Sequence, residues 1–89
     1  MKILIASKID PEAIEKLKEH HEVVCAFGAD KETLKSAIQD CNILIFRSGV
    51  DISAEVMAAA PTLKMLIRGG SGTDNLDMDY VNRQGLRLV

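Results

Sequence analysis

The chain has no tryptophan, one tyrosine and two phenylalanines, so aromatics make up only 3% of its 89 residues. Hydrophobic residues reach 47%, and any core they form must therefore be aliphatic. No apolar run approaches the ~20 residues that a membrane-spanning helix needs. Met1–Ala6 is too short for a secretory signal and lacks a small-residue cleavage site after a longer apolar region, so the expected location is the cytoplasm. The formal net charge is −2, which excludes a nucleic-acid or anionic-membrane partner recruited by bulk charge. Cysteine is scarce as well. Cys25 and Cys41 stand far apart, with no CxxC and no nearby ligand pair, and read as reduced core thiols rather than a metal site or a disulfide. Eighty-nine residues suffice for one small domain.

Short apolar runs alternate with helical periodicities. Ile3–Ala6 is apolar on both faces, as in a buried parallel strand. Asp10-Pro11-Glu12 starts a helix: an N-cap, a proline suited to the first turn, and an acid at the positive end. Ala13, Ile14 and Leu17 form its stripe, and His20 and His21 fall in its last turn. Adjacent histidines diverge on a helix, so helix-end residues are favoured over metal ligands. Glu22–Ala26 is a second strand, with Phe27-Gly28 as a turn. Asp30 caps a second helix with Leu34, Ala37, Ile38 and Cys41 on one side. Asn42–Phe46 is the third strand. Ser53 caps a short helix carrying Val56, Ala59 and Ala60, which Pro61 stops. Lys64–Ile67, a helix from Asp77 to Arg83, Gly85 and a strand Leu86–Val89 complete the series. Strands alternating with helices of this length imply a parallel sheet with right-handed crossovers. No composition shift or linker marks an internal boundary, so 1–89 reads as one domain.

Regular structure gives way at Arg68-Gly69-Gly70-Ser71-Gly72-Thr73-Asp74-Asn75. Glycines permit close approach of backbone to ligand, and successive N–H groups before a helix can converge on an anion. The plain structural reading is a glycine-rich turn with Asp74 or Asp77 as an N-cap. Gly70-x-Gly72-x-x-Asn75 lacks the third glycine of the dinucleotide fingerprint, and no lysine follows for a P-loop. Gly69-x-Ser71-x-Thr73 fails the nucleophile-elbow pattern at its last position, which makes Ser71 a backbone donor rather than a nucleophile.

Leu63–Asp77, together with Phe46-Arg47-Ser48, the helix capped by Ser53 and Ala60-Pro61-x-Leu63-Lys64, resembles the substrate domain of the D-2-hydroxy-acid dehydrogenases. Within that family the chain most resembles the phosphoglycerate dehydrogenases of serine synthesis. The resemblance implies an α/β, flavodoxin-like (Rossmann-like) three-layer sandwich with five parallel strands in the order 2-1-3-4-5. It implies that backbone N–H groups of Ser71 and Gly72 hold the substrate carboxylate, with Arg47 facing the cleft beside them. Two amides and a guanidinium suit a carboxylate or phosphate chemically. Asp74 and Asn75 are expected to brace the loop and cap the helix. Two departures stand out. No basic residue follows Arg47-Ser48 closely, and Asp51 there is acidic. The dinucleotide-binding domain, which in this family carries the GxGxxG loop and the catalytic Arg, Glu and His, is absent from these 89 residues; His20 and His21 match the catalytic histidine in neither position nor context.

The chain is accordingly expected to be an N-terminal piece of an NAD-dependent D-2-hydroxy-acid oxidoreductase. It would supply the carboxylate half-site, bind no cofactor of its own and be inactive alone. The alternative is a stand-alone, non-catalytic flavodoxin-like module that binds a small carboxylate or self-associates. A phospho-receiver domain is disfavoured, because Ala6-Ser7-Lys8 and Phe46-Arg47 stand where acidic residues would be required. With strand order 2-1-3-4-5 and right-handed crossovers, the first helix lies on one sheet face and the other three on the opposite face. A final helix that would return to the first face is missing. That leaves an apolar patch and an expected homodimer or higher oligomer that buries it.

Overall fold

The computed structural model describes residues 1–47, 50–69 and 76–89. Five strands alternate with four helices: β1 (Lys2–Ile5), α1 (Pro11–Lys18), β2 (Glu22–Cys25), α2 (Lys31–Ile38), β3 (Ile43–Arg47), α3 (Ala54–Ala58), β4 (Met65–Gly69), α4 (Met78–Gln84) and β5 (Arg87–Leu88). All pairings are parallel, and the sheet order is β2-β1-β3-β4-β5, as the resemblance implies.

Local chemistry sets the helix starts. The Asp10 carboxylate accepts from the Glu12 N–H (3.0 Å), Asp30 from Thr33 (2.9 Å), and Asp77 from Tyr80 (3.0 Å). The Ser53 hydroxyl accepts from Val56 at 3.4 Å. Each satisfies a first-turn donor that has no partner within the helix. At the far end of α4, Gly85 adopts φ 68°, the left-handed conformation that suits glycine, and its N–H returns to the Asn82 carbonyl.

Pleating sorts the apolar residues by face. Leu4, Leu44, Phe46 and Leu66 point toward α2, α3 and α4 and pack with Leu34, Ile38, Val56, Met57 and Val81. Ile3, Ile5, Ile43 and Ile45 point the other way, where Ile14 and Leu17 of α1 meet them. One helix thus lies on one face and three on the other, as the crossover rule requires.

Three details differ from the sequence expectation. Helix α1 ends at Lys18, so His20 and His21 lie in the turn beyond it; Glu19 and His20 already donate to the Lys16 and Leu17 carbonyls in a tightened last turn. Cys25 is exposed rather than in the core, because it sits at the carboxyl tip of the edge strand β2; Cys41 is fully buried as expected. Strand β4 runs on through Arg68 and Gly69. The Arg68 N–H donates to the Val89 carbonyl (3.1 Å), and Gly69 stays in register with Arg47, so two residues that read as loop belong to the sheet.

Candidate anion site at the carboxyl edge

The two ends of the sheet are built differently. At the amino end Asn42 works as a clip: its side-chain oxygen accepts from the Lys2 N–H (3.0 Å), its amide donates to the Thr62 carbonyl (3.3 Å), and its own carbonyl accepts from Lys64 (2.9 Å). Lys2 and Asp40 close the same end with an ion pair of 2.7 Å. At the carboxyl end Arg47 closes β3 and Arg68 stands next to last in β4. In an open parallel sheet this is the end where ligands bind.

Arg47 is the last residue of β3 and is exposed. Its backbone N–H donates to the Ser7 hydroxyl just after β1 (2.9 Å), so the ends of β1 and β3 are tied at this residue. Its register partner on β4 is Gly69. A Cβ on Gly69 would stand 3.2 Å from Arg47 Cγ and 3.7 Å from Cδ. The arginine stem therefore crosses the β4 backbone where only glycine leaves full room.

Beyond the edge, the segments leaving β3 and β4 are stitched together. Ile52 and Leu76 form a parallel bridge, both are buried, and the Asp77 N–H donates to the Ile52 carbonyl (3.3 Å). This bridge brings the far side of the glycine-rich stretch to the same place as the segment that follows Arg47. Ser71 and Gly72, the expected amide donors, lie outside the described residues, as do Asp74 and Asn75. Of the expected site, the structure places Arg47 at the edge, beside the strand that leads into the glycines.

Arg68 was absent from the expected site. It pairs in register with Phe46, and strand alternation sets it on the α2–α4 face above Leu66. Its Nε and Nη1 are shielded from solvent, and neither finds an acceptor among the described residues. The sequence signal was a basic residue directly after an apolar strand; what it could not give was the continuation of that strand.

A cavity of about 440 Å³ opens at the same end, shifted toward β2 and lined by Asp30, Lys31, Leu34, Asp51 and Ser53 among others. Neither Arg47 nor Arg68 lines it. Asp30 and Ser53 are engaged as helix caps, and Lys31 pairs with Glu55 at 3.1 Å. With two carboxylates on its wall it suits an anionic ligand poorly, so the edge at Arg47 is the better anion site. Asp77 occupies the amino end of α4 and takes its Tyr80 N–H.

Comparison with known proteins bears on the whole chain. D-3-phosphoglycerate dehydrogenase from Mycobacterium tuberculosis is 38% identical over 87 residues, covering 98% of this chain and 16% of the relative. The enzyme of that name from Methanocaldococcus jannaschii is 36% identical over 89 residues, covering 100% of this chain and 17% of the relative. The chain thus spans about one-sixth of the length of these curated relatives. Among solved structures, NAD+-bound 3-phosphoglycerate dehydrogenase from Entamoeba histolytica superposes with a TM-score of 0.85 at 28% identity, over 99% of this chain and 32% of that one. The family model described as D-isomer specific 2-hydroxyacid dehydrogenase, catalytic domain, matches residues 3–89, and with the shared sheet order this chain belongs to that family.

Proposed function

We propose that this chain is the substrate-side part of an NAD-dependent D-2-hydroxy-acid dehydrogenase acting on 3-phosphoglycerate in serine biosynthesis, and that it works in the cytoplasm. The observation that carries the reading is the Arg47–Gly69 pair at the carboxyl edge. An arginine laid across a glycine presents a planar guanidinium in a direction fixed by the strands beneath, and that fork matches a carboxylate in two parallel hydrogen bonds. Backbone N–H groups of Ser71 and Gly72 complete the carboxylate half-site in this reading. Holding the carboxylate fixes C2, from which the hydride leaves in the full-length reaction, and so contributes orientation rather than chemistry. NAD supplies the hydride acceptor in the full-length enzyme. The isolated 89-residue polypeptide, having no dinucleotide fingerprint, is inactive alone. It associates with a second copy through the face that carries α1. Two unbridged cysteines support the cytoplasmic assignment.

The test is a titration of isotope-labelled chain with glycerate and with acetate. Glycerate shifts the amide signals of Arg47, Ser71 and Gly72, acetate does not, and Arg47→Ala removes the response. Equal shifts with acetate, or none with either acid, would leave a module that binds or assembles without being a 2-hydroxy-acid half-site. Reduction of NAD by the purified chain with 3-phosphoglycerate would refute the inactivity.

A further inference from the structure

We propose that Ser7 is a positioning residue of the carboxylate half-site, one that aims the Arg47 guanidinium by holding the end of β3 in place. The proposal rests on the carboxylate half-site at Arg47. It starts from the unequal lengths of two neighbouring strands. Strand β1 ends at Ile5, whose register partner is Ile45, while β3 runs on through Phe46 and Arg47. The Ala6 N–H still donates to the Ile45 carbonyl at 2.9 Å. Further along β3 the partner is a side chain: the Arg47 N–H donates to the Ser7 hydroxyl, also at 2.9 Å. The hydroxyl thus stands where a strand carbonyl would, at a point where β1 has already left the sheet toward α1. On its other flank Arg47 is in register with Gly69, which offers no side chain to lean on.

Arg47 is exposed, so the direction in which its guanidinium projects is set at its root, by the backbone of β3 and by the contact of its stem with Gly69. A long side chain loses rotamer freedom on binding, and a fixed root lessens that loss. Topology gives the bond a second consequence. From Ser7 the chain leads to α1 on one face of the sheet; from Arg47 it leads to α3 on the other. In a sheet of order 2-1-3-4-5 the crevice that takes ligands opens where such connections part, between β1 and β3. The Ser7–Arg47 bond spans that point, and losing it lets the ends of β1 and β3 separate beneath the ligand. Asn42 ties strands and loop together at the amino end, remote from any ligand at this edge. Ser7 makes its tie at the carboxyl end, with a single exposed hydrogen bond. Such a bond adds little to overall stability, so its effect should be read in binding.

Four variants, titrated with glycerate as isotope-labelled chains, separate aiming from bracing: Ser7→Ala, Ser7→Thr, Arg47→Ala, and Ser7→Ala combined with Arg47→Ala. Ser7→Ala should weaken glycerate about three- to tenfold, the size of one hydrogen bond, with thermal unfolding almost unchanged. Ser7→Thr keeps the hydroxyl acceptor and should bind within about twofold of the unaltered chain. In the Arg47→Ala background Ser7→Ala should cost nothing further, because a residue that acts through the guanidinium has no effect once the guanidinium is gone. Three results would each overturn the proposal: Ser7→Ala binding as well as the unaltered chain, the same loss with and without Arg47, or alanine and threonine losing binding alike. If Ser7→Ala fails to fold, the unaltered chain still decides. Glycerate should then slow hydrogen exchange of the Arg47 amide, which has to stay closed on Ser7 for binding, and an unchanged rate would count against the proposal. Failure of the underlying reading looks different: Arg47→Ala then leaves the response to glycerate as it was, whatever Ser7 does.

Discussion

Leu66 and Ile67 are neighbours on one strand and live in different surroundings. Leu66 faces α2, α3 and α4 and has no exposed surface; Ile67, on the opposite face, is only partly buried. The contrast holds across the sheet. On the three-helix face Leu4, Leu44 and Phe46 are also completely enclosed. On the other face α1 covers the β1–β2 side, while Met65 and Ile67 of β4 are half-open, and Val89, on the same side by alternation, is 61% exposed. Crossover handedness explains the asymmetry: one connection runs toward β2, and three run toward β5. The lesson is that stability resides mainly on one face and unsatisfied apolar surface on the other.

The largest expected effect breaks the sealed face. Leu66→Ala should cost about 2–5 kcal/mol, because a fully enclosed site relaxes little around the cavity it leaves. Ile67→Ala, which loses less buried surface, should cost about 1 kcal/mol. Urea unfolding of both variants measures the difference, and equal costs would mean that the α1 face is covered in solution. The covering body in a purified sample would be a second copy, which leads to the next expectation. Light scattering at roughly 0.1 mM should show association, and Ile67→Lys should weaken it at least tenfold by placing a charge on the contact. A monomer in both cases would remove self-association through this face.

How far these features were legible in the sequence depended on how local their causes are. Asp10, Asp30 and Ser53 could be named as caps because each bonds an N–H two or three residues away; at α4 the cap is Asp77, one of two candidates, and not the Asp74 and Asn75 that the family resemblance suggested, because the helix starts only at Met78. The strand series was legible because buried parallel strands are continuous apolar runs. Cys25 was misjudged: whether a residue near a strand tip is covered depends on which strand is the edge and where a distant helix reaches. The site divided in the same way. Arg47 was legible from its place after an apolar strand and from the family resemblance. Arg68 was not singled out, because its significance lies in β4 extending past the apolar run and in two nitrogens enclosed by residues remote in sequence.

A smaller effect is expected where the α1 face meets the candidate site. Gly69→Ala places a methyl group 3.2 Å from Arg47 Cγ, a contact that the arginine must yield to by a few tenths of an ångström. Gly69 has no positive φ, so alanine is not strained there, and the loss of unfolded-chain freedom offsets part of the contact. Stability should therefore stay within about 1 kcal/mol of the unaltered chain, while glycerate binding weakens because the guanidinium has moved. Tm and a titration read the two effects separately. A large fall in Tm with binding intact would show that the glycine serves packing rather than the placement of Arg47.

The smallest effect sharpens the comparison through charge. Ion pairs that join separate elements favour the three-helix side: Glu55 of α3 takes Lys35 (2.9 Å) and Lys31 (3.1 Å) of α2. The pair within α1, Lys18–Glu15 at 3.7 Å, ties that helix to nothing else. The Lys35 hydrogen bond, followed by that from Lys31, holds the Glu55 carboxyl below its ordinary value, and the Thr33 N–H does the same for Asp30 at the start of α2. A carboxyl lowered in the folded state contributes stability that is present above its ordinary value and is lost as pH falls through the lowered one. Acid should therefore loosen the α2–α3 contact, by a small amount because these groups are exposed and solvent-screened. Hydrogen exchange at pH 6 and pH 3, corrected for intrinsic rates, should show protection falling more in α2 than in α1, and added salt at pH 6 should produce part of the same change. Equal losses in both helices would place the acid sensitivity in global unfolding rather than in the pairs that fasten the sealed face.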